Sequence, residues 1–120
     1  MVLIKENHIA TAGGIGKAVN YVRAQFDKKY KIEVEVKNIA ELQETLKLSV
    51  DRILLDNMSI KEKKQAVDIT SGKTELEASG NVTLETVREI AETGVNFISI
   101  GALTKHIKAI DLSMRMIILE

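Results

Sequence analysis

The stretch KIEVEVKN at residues 31–38 decides the fold class, because its alternation of apolar and polar residues is typical of a β-strand. Three apolar side chains share one face and two glutamates share the other: Ile32, Val34 and Val36 against Glu33 and Glu35. Two glutamates on one face are ordinary at an exposed antiparallel edge. In a buried parallel sheet they are costly unless something on that face needs negative charge.

Similar strand-like runs alternate with amphipathic helical stretches along the rest of the chain. Four further strands are predicted, at residues 2–5, 52–56, 74–79 and 96–101. Helices are predicted at residues 14–26 and 38–48, after an N-cap at Ser59, and after an N-cap at Thr83. Alternating strands and helices with short connections form βα units and a parallel sheet.

The predicted fold is therefore a single α/β domain over residues 1–120. It contains about five parallel βα units, arranged as a partial TIM-type barrel or as a flavodoxin-like open sheet. Two segments are interpreted more simply: TAGG at residues 11–14 as a flexible connection to the first helix, and KEKK at residues 61–64 as a solvated helix face. The tail at residues 109–120 fits a strand or a closing helix.

Composition limits the classes of partner. The 17 basic and 17 acidic residues balance, so there is no net field to attract nucleic acid or a membrane surface, and neither partner is predicted. The absence of cysteine excludes disulfides and thiolate metal sites. No apolar run approaches the roughly 20 residues that span a bilayer, and a cytoplasmic location is predicted.

Polar or small residues follow each predicted strand. In parallel α/β proteins, chemistry takes place at the carboxyl ends of the strands, so we expect these residues to line one rim. They are Lys5, His8, Glu35, Asp56, Asn57, Ser79, Gly80, Asn81, Ser99 and Gly101. The alternative is ordinary strand-end polarity, with the charges paired to one another.

The chemistry of this rim points to a phosphorylated ligand. A lysine opposite two carboxylates binds an anion, while the carboxylates hold a divalent metal or ribose hydroxyls. The SGN stretch at residues 79–81, together with Gly101, supplies backbone N–H groups that cradle a phosphate. His8 fits a structural hydrogen-bonding role better than a catalytic one, and His106 is predicted to be a surface residue on a helix.

Five segments, in this order and spacing, resemble quinolinate phosphoribosyltransferase: LIKENHI (3–9), KIEVEV (31–36), ILLDNMS (53–59), LEASGNV (76–82) and TGVNFISIGALT (93–104). The resemblance implies transfer of phosphoribose from phosphoribosyl pyrophosphate to quinolinate with Mg²⁺. Decarboxylation follows and gives nicotinate mononucleotide for NAD biosynthesis. The implied class is a glycosyltransferase whose partners are these two small molecules.

The resemblance also implies roles for single residues. Lys5 would contact the quinolinate carboxylate, and Glu35 and Asp56 would hold the ribose and the magnesium. These three form the implied catalytic set. The implied substrate- and phosphate-binding set is His8, Ser79, Gly80, Asn81, Ser99, Gly101 and Ala102.

Two departures limit what the resemblance implies. Lys105 stands where the family commonly has a histidine directly after GALT. The family's N-terminal domain and first barrel segments are also not matched, so we expect a C-terminal barrel fragment that is inactive alone and prone to form a homo-oligomer.

Other interpretations stay open at this point. The enzyme alternatives are the molybdenum-transport-associated member of the same family, nicotinate phosphoribosyltransferase, and a Schiff-base aldolase that uses Lys5. The non-enzyme alternative is a non-catalytic α/β scaffold or excised folding fragment.

Overall fold

The computed structural model describes residues 1–26, 29–105 and 109–118. Its five parallel strands are β1 (Val2–Ile4), β2 (Ile32–Val36), β3 (Arg52–Asp56), β4 (Glu75–Ser79) and β5 (Phe97–Ile98). The helices are α1 (Glu6–Ala12), α2 (Ile15–Phe26), α3 (Ile39–Leu46), α4 (Ile60–Thr70), α5 (Val87–Ala91) and α6 (Ala102–Lys105). The α/β class, the parallel sheet and all five predicted strands are confirmed.

The strands lie side by side in the order β1-β2-β3-β4-β5, in one open sheet. A sequential order is that of consecutive units of a (βα)8 barrel, whereas a flavodoxin-like sheet has the order 2-1-3-4-5. Two arrangements are predicted, a partial barrel and a flavodoxin-like open sheet. The observed sheet is open, but its strand order is that of a barrel segment. All five strands consequently end at the same edge.

The apolar face of the sheet packs against helices α2, α3 and α4. The shared core contains Ile4, Val19, Val34, Leu42, Ile53, Leu55, Ala66 and Leu76. The opposite face bears the glutamates of the opening stretch, with Glu33 beside Arg52 and Arg52 beside Glu75 in the strand register. The apolar side chains of the strands are therefore buried against the helices, and the polar side chains lie on the other face of the sheet.

The structure differs from the sequence-based prediction in two helices near strand ends. Helix α1 includes His8, which the sequence places at a strand end, and residues 11 and 12 of the stretch TAGG, which is interpreted as a flexible connection. Gly13, at φ +79°, ends this helix in the left-handed conformation. Helix α5 begins at Val87 instead of directly after Thr83, because the N–H of Thr83 donates to the hydroxyl of Thr86 and closes a turn first.

The tail and the KEKK run also differ from their interpretations. Residues 109–118 form neither a strand nor a helix, and their apolar side chains are exposed. Within KEKK, Lys63 is buried on the inner side of α4, while Lys61 and Lys64 are exposed as predicted. The capping box at Ser59 and Glu62 is confirmed. His106 lies outside the described residues.

Candidate functional site

A cavity of about 490 Å³ lies at the carboxyl ends of the strands, and we call it the rim cavity. Its lining residues are Lys5, Asp56, Ser79, Gly80, Asn81, Val82, Ser99, Ile100, Gly101 and Lys105. The structure thus brings together seven of the residues that were selected from the sequence because they follow strands. Lys5 and Lys105 give the cavity two cationic side chains, and Asp56 gives it one carboxylate.

Glu35 does not line the cavity, but it lies directly behind one of the lining residues. Its side chain is buried, and its Oε2 lies 3.3 Å from Nζ of Lys5. The ion pair neutralises the buried carboxylate and fixes the position of the lysine ammonium group. Glu35 is therefore connected to the rim cavity through its contact with Lys5. The ion pair also matches the alternative interpretation, in which charges at the strand ends compensate one another.

His8 and Ala102 also lie outside the lining of the rim cavity. His8 belongs to the first turn of α1, where its Nδ1 accepts a hydrogen bond of 3.0 Å from the backbone N–H of Lys5. Its side chain lines a separate cavity of about 550 Å³ beside β1, α1 and α2. The hydrogen bond is of the structural kind that the sequence favours for His8, and its implied role in substrate binding stays a prediction. Ala102 is exposed at the start of α6.

A network of hydrogen bonds orients Asp56 at the rim. The side-chain amide of Asn57 donates to Oδ2 of Asp56 at 3.0 Å, and its Oδ1 accepts from Nδ2 of Asn81 at 3.1 Å. The backbone N–H of Asn57 donates to the carbonyl of Ser79 at 3.0 Å. Asn57 therefore ties the end of β3 to the loop after β4. The sequence places it beside Asp56, but its role depends on these contacts.

Gly80 makes this close approach of the two loops possible. A Cβ added at Gly80 would lie 2.0 Å from Oδ1 of Asn57, well inside van der Waals contact. Gly80 also has φ +89°, a conformation that side-chain-bearing residues adopt with strain. Both the space and the backbone conformation at this position require glycine.

Four carboxylates and one arginine share the polar face of the sheet below the rim. We call Glu33, Glu35, Arg52, Glu75 and Glu77 the charged face. Nη1 of Arg52 lies 2.9 Å from Glu77, and Nη2 lies 3.1 Å from Glu75. The guanidinium carbon also lies 3.6 Å from the centroid of the Phe97 ring, within the range of a cation–π contact. The guanidinium on β3 thus compensates the two carboxylates of β4.

Glu33 is the member of the charged face that is not fully compensated. Burial, followed by the negative charge of Glu77, raises the pKa of Glu33 to about 7. Among the described residues, its Oε1 is buried with no hydrogen-bond partner. For Glu77 burial acts in the same upward direction, but hydrogen bonds from Ser99 and Arg52 outweigh it and lower the pKa. The pKa values of the two neighbouring glutamates are therefore shifted in opposite directions.

Arg52 and Glu77 are members of this cluster that the sequence-based prediction missed. The alternation that placed Glu33 and Glu35 on one face applies equally to RILLD at 52–56 and TELEAS at 74–79. Aligning these alternations across neighbouring parallel strands sets Arg52 beside Glu33, which is the register of the sheet. The sequence alternation thus indicates which side chains share a face, whereas the register that sets Arg52 beside Glu33 comes from the structure.

The tight approach at Gly80 predicts a specific loss of stability. Replacing Gly80 with alanine introduces both the left-handed strain and the clash with Asn57. Replacing Gly72 with alanine introduces strain alone, because a Cβ there meets no atom within 4 Å while φ is +72°. We expect Gly72→Ala to lower the free energy of unfolding by about 1 kcal/mol. Gly80→Ala should lower it by roughly 1–3 kcal/mol more, through overpacking. If denaturant titrations gave the same loss of free energy of unfolding for the two variants, the close approach of Gly80 to Asn57 would be contradicted.

The raised pKa of Glu33 predicts a pH-dependent stability difference. Above its ordinary pKa of 4.5, the folded state binds the Glu33 proton more tightly than the unfolded state does. The stability that this provides is full below pH 4.5 and is lost as the pH rises through 7. The free energy of unfolding of Glu33→Gln, relative to that of the parent, should therefore rise by about 3 kcal/mol between pH 4.5 and 8, at 1.36 kcal/mol per pKa unit. Glu44→Gln, at an exposed position of α3, should show no such trend in unfolding measurements.

A family model described as "Quinolinate phosphoribosyl transferase, C-terminal domain" matches residues 1–115. The Nicotiana tabacum protein named quinolinate phosphoribosyltransferase (decarboxylating) 1b is 45% identical over 134 residues, which cover 97% of this chain and 38% of that protein. The nicotinate-nucleotide pyrophosphorylase from Francisella tularensis is a structural neighbour with a TM-score of 0.85 and 51% identity, over 92% of this chain and 39% of that one. The corresponding structure from Ehrlichia chaffeensis gives 0.84 and 50%, over 88% and 38%.

The chain thus spans about two-fifths of the length of these relatives. One tobacco relative is named as mitochondrial and the Arabidopsis thaliana relative as chloroplastic, so the cytoplasmic location stays a prediction. In the described part of the chain, no helix has both the length and the apolar character needed to cross a membrane.

The family match over nearly the whole sequence agrees with the sequential parallel sheet and with the cavity at its strand ends. The chain belongs to the quinolinate phosphoribosyltransferase family and matches the C-terminal domain of its members.

Proposed function

We propose that the rim cavity binds the phosphoribosyl group of phosphoribosyl pyrophosphate, as part of an enzyme that converts quinolinate to nicotinate mononucleotide. The observation that supports this most directly is the convergence of Lys5, Asp56, residues 79–81 and Gly101 on one cavity. Backbone amides near glycines bind phosphate oxygens, lysine binds an anion, and a carboxylate binds ribose hydroxyls. The chemistry of the lining thus matches each part of a phosphorylated sugar.

The proposed reaction breaks the bond between C1 of the ribose and the pyrophosphate oxygen, and forms a bond from C1 to the pyridine nitrogen. The carboxylate beside that nitrogen then leaves as CO2 and a proton takes its place, so the products are nicotinate mononucleotide, pyrophosphate and CO2. Positive charge develops on the sugar ring as the pyrophosphate leaves. A carboxylate that is already oriented stabilises such charge without reorganisation. Asp56 fits this role because the side chain of Asn57 donates a hydrogen bond to its carboxylate, and Asn57 in turn accepts one from Asn81.

Lys5 fits a binding role in the same cavity, and Glu35 lies directly behind it. The ion pair with buried Glu35 directs the Lys5 ammonium group, which suits it to a carboxylate of quinolinate. Glu35 is thus a positioning residue in this proposal.

Magnesium is proposed as the cofactor, with Asp56 as its protein ligand. In the described part of the chain, no three histidine or acidic side chains lie close enough to hold a metal by themselves. Mg²⁺ is commonly held by one or two carboxylates together with substrate phosphates, so a single carboxylate at the cavity fits. Glu35, the other residue implied as a ligand, is already engaged by Lys5. Bound magnesium would offset the charge of the leaving pyrophosphate.

The chain is proposed to hold only part of the complete active site. It spans 38% of the tobacco relative, and the positioning of both substrates supplies much of the rate of such a transfer. We therefore expect binding without turnover from these 120 residues. The expected homo-oligomer stays a prediction, supported by the exposed apolar side chains of residues 109–118.

The proposal predicts a measurable half-site. Phosphoribosyl pyrophosphate with Mg²⁺ should produce saturable amide chemical-shift changes clustered at residues 79–82 and 99–102. Asp56→Asn keeps the shape of the side chain but removes its charge, and it should weaken binding about tenfold, equivalent to about 1.4 kcal/mol.

The matched control is Glu44→Gln, which changes an exposed carboxylate on α3 and should bind as the parent does. A well-folded parent that shows no saturable shifts at millimolar ligand would contradict the proposal. It would favour the non-catalytic scaffold, in which the charges at the strand ends only compensate one another.

A further inference from the structure

Lys63 is a buried basic residue that the proposed reaction does not use. Only 3% of its side chain is exposed, on the inner side of α4 beside Ala66 and Thr70. Among the described residues, it is the only lysine or arginine in the fully buried group. Burying an ammonium group is costly, so its position needs a compensating contact.

The contact that the structure provides is with backbone, not with a carboxylate. Nζ of Lys63 donates a hydrogen bond to the carbonyl oxygen of Met58. In the described part of the chain, no acidic side chain lies within ion-pair distance of it. Burial lowers the pKa of Lys63, while the charges of Glu62 and Asp56 act in the opposite direction. The side chain is thus directed at one carbonyl in the connection between β3 and α4.

That connection is only three residues long, and each of its residues makes at least one hydrogen bond. The N–H of Asn57 donates to the carbonyl of Ser79 at 3.0 Å. At the other end, the N–H of Ser59 donates to Oε2 of Glu62 at 2.8 Å. The bond from Lys63 to Met58 is the contact in the middle.

The conformation of Asn57 explains why a middle contact matters. Asn57 has φ +52°, in the left-handed region, where asparagine is tolerated but not strongly favoured. A cavity of about 190 Å³ adjoins this loop. Its lining includes Met58 of the β3–α4 connection, Gly80 of the β4–α5 connection and Lys63 of α4. There is therefore space into which the loop could relax if the Met58 carbonyl were released.

We propose that Lys63 is a positioning residue of the rim cavity. By binding the Met58 carbonyl, it holds Asn57 in the conformation that orients the carboxylate of Asp56. This inference deepens the proposed function and rests on it for the role of Asp56, whereas the mechanical coupling of Lys63 to Asn57 stands on the contacts alone.

The test compares Lys63→Met with Lys64→Met, which changes an exposed lysine of the same helix. Hydrogen exchange at the Asn57 amide reports on the loop without any ligand, and the amide of Leu55 in β3 reports on the core. We expect Lys63→Met to speed exchange at Asn57 at least tenfold while leaving Leu55 unchanged. Binding of phosphoribosyl pyrophosphate with Mg²⁺ should weaken by a similar factor. Lys64→Met should change neither quantity.

The outcomes separate the two proposals. Faster exchange at Asn57 in a chain whose parent binds no ligand would support the coupling by Lys63 and contradict the proposed function. Parent-like exchange at Asn57 in Lys63→Met would overturn the role of Lys63, whatever the parent binds. Equal acceleration at Asn57 and Leu55 would also overturn it, because it would show a general loss of stability instead of a local release.

Discussion

The compensation of charge on one face of a parallel sheet is the constraint on which this structure depends. Three glutamates of that face are buried: Glu35 and Glu77 are ion-paired, whereas Glu33 has no ion pair among the described residues and its pKa is raised to about 7. Arg52 bridges to β4, and Lys5 reaches Glu35 from the end of β1. The question raised by KIEVEV is thus answered by register: the strand places its negative charges beside a guanidinium and an ammonium group on its two neighbours.

The rim cavity follows from the same arrangement. Because the strands are parallel and adjacent in chain order, all of their carboxyl ends meet at one edge of the sheet. The Lys5–Glu35 pair links the charged face to this edge, since the lysine lines the cavity and the glutamate belongs to the sheet. Across the cavity, Asn57 joins the loops after β3 and β4. The site is therefore an extension of the contacts that hold the strands together.

Much of this could be predicted from the sequence, because two-residue and helical periodicities report directly on burial. The strands, the parallel sheet and most of the cavity lining follow from the position of polar residues after apolar runs. Helix α1 was missed because its N-cap, Lys5, is not a typical capping residue, and the cap is completed by His8. Lys63 was misread because a lysine within a charge run is usually solvated, and its burial depends on a carbonyl in a neighbouring loop. Asn57 was recognised by position only, since its role requires a left-handed backbone and a glycine opposite.

The most direct measurement of the central claim is the free energy of unfolding of Arg52→Met at pH 8. Removing the guanidinium leaves buried Glu77 without its cation, and breaking a buried pair in this way costs about 3–5 kcal/mol. Arg88→Met is the matched comparison, because Arg88 pairs with Glu92 on the surface, where both side chains are exposed. A surface pair contributes about 0–1 kcal/mol. Charge compensation predicts a much larger loss for Arg52→Met, and equal losses for the two variants would contradict it.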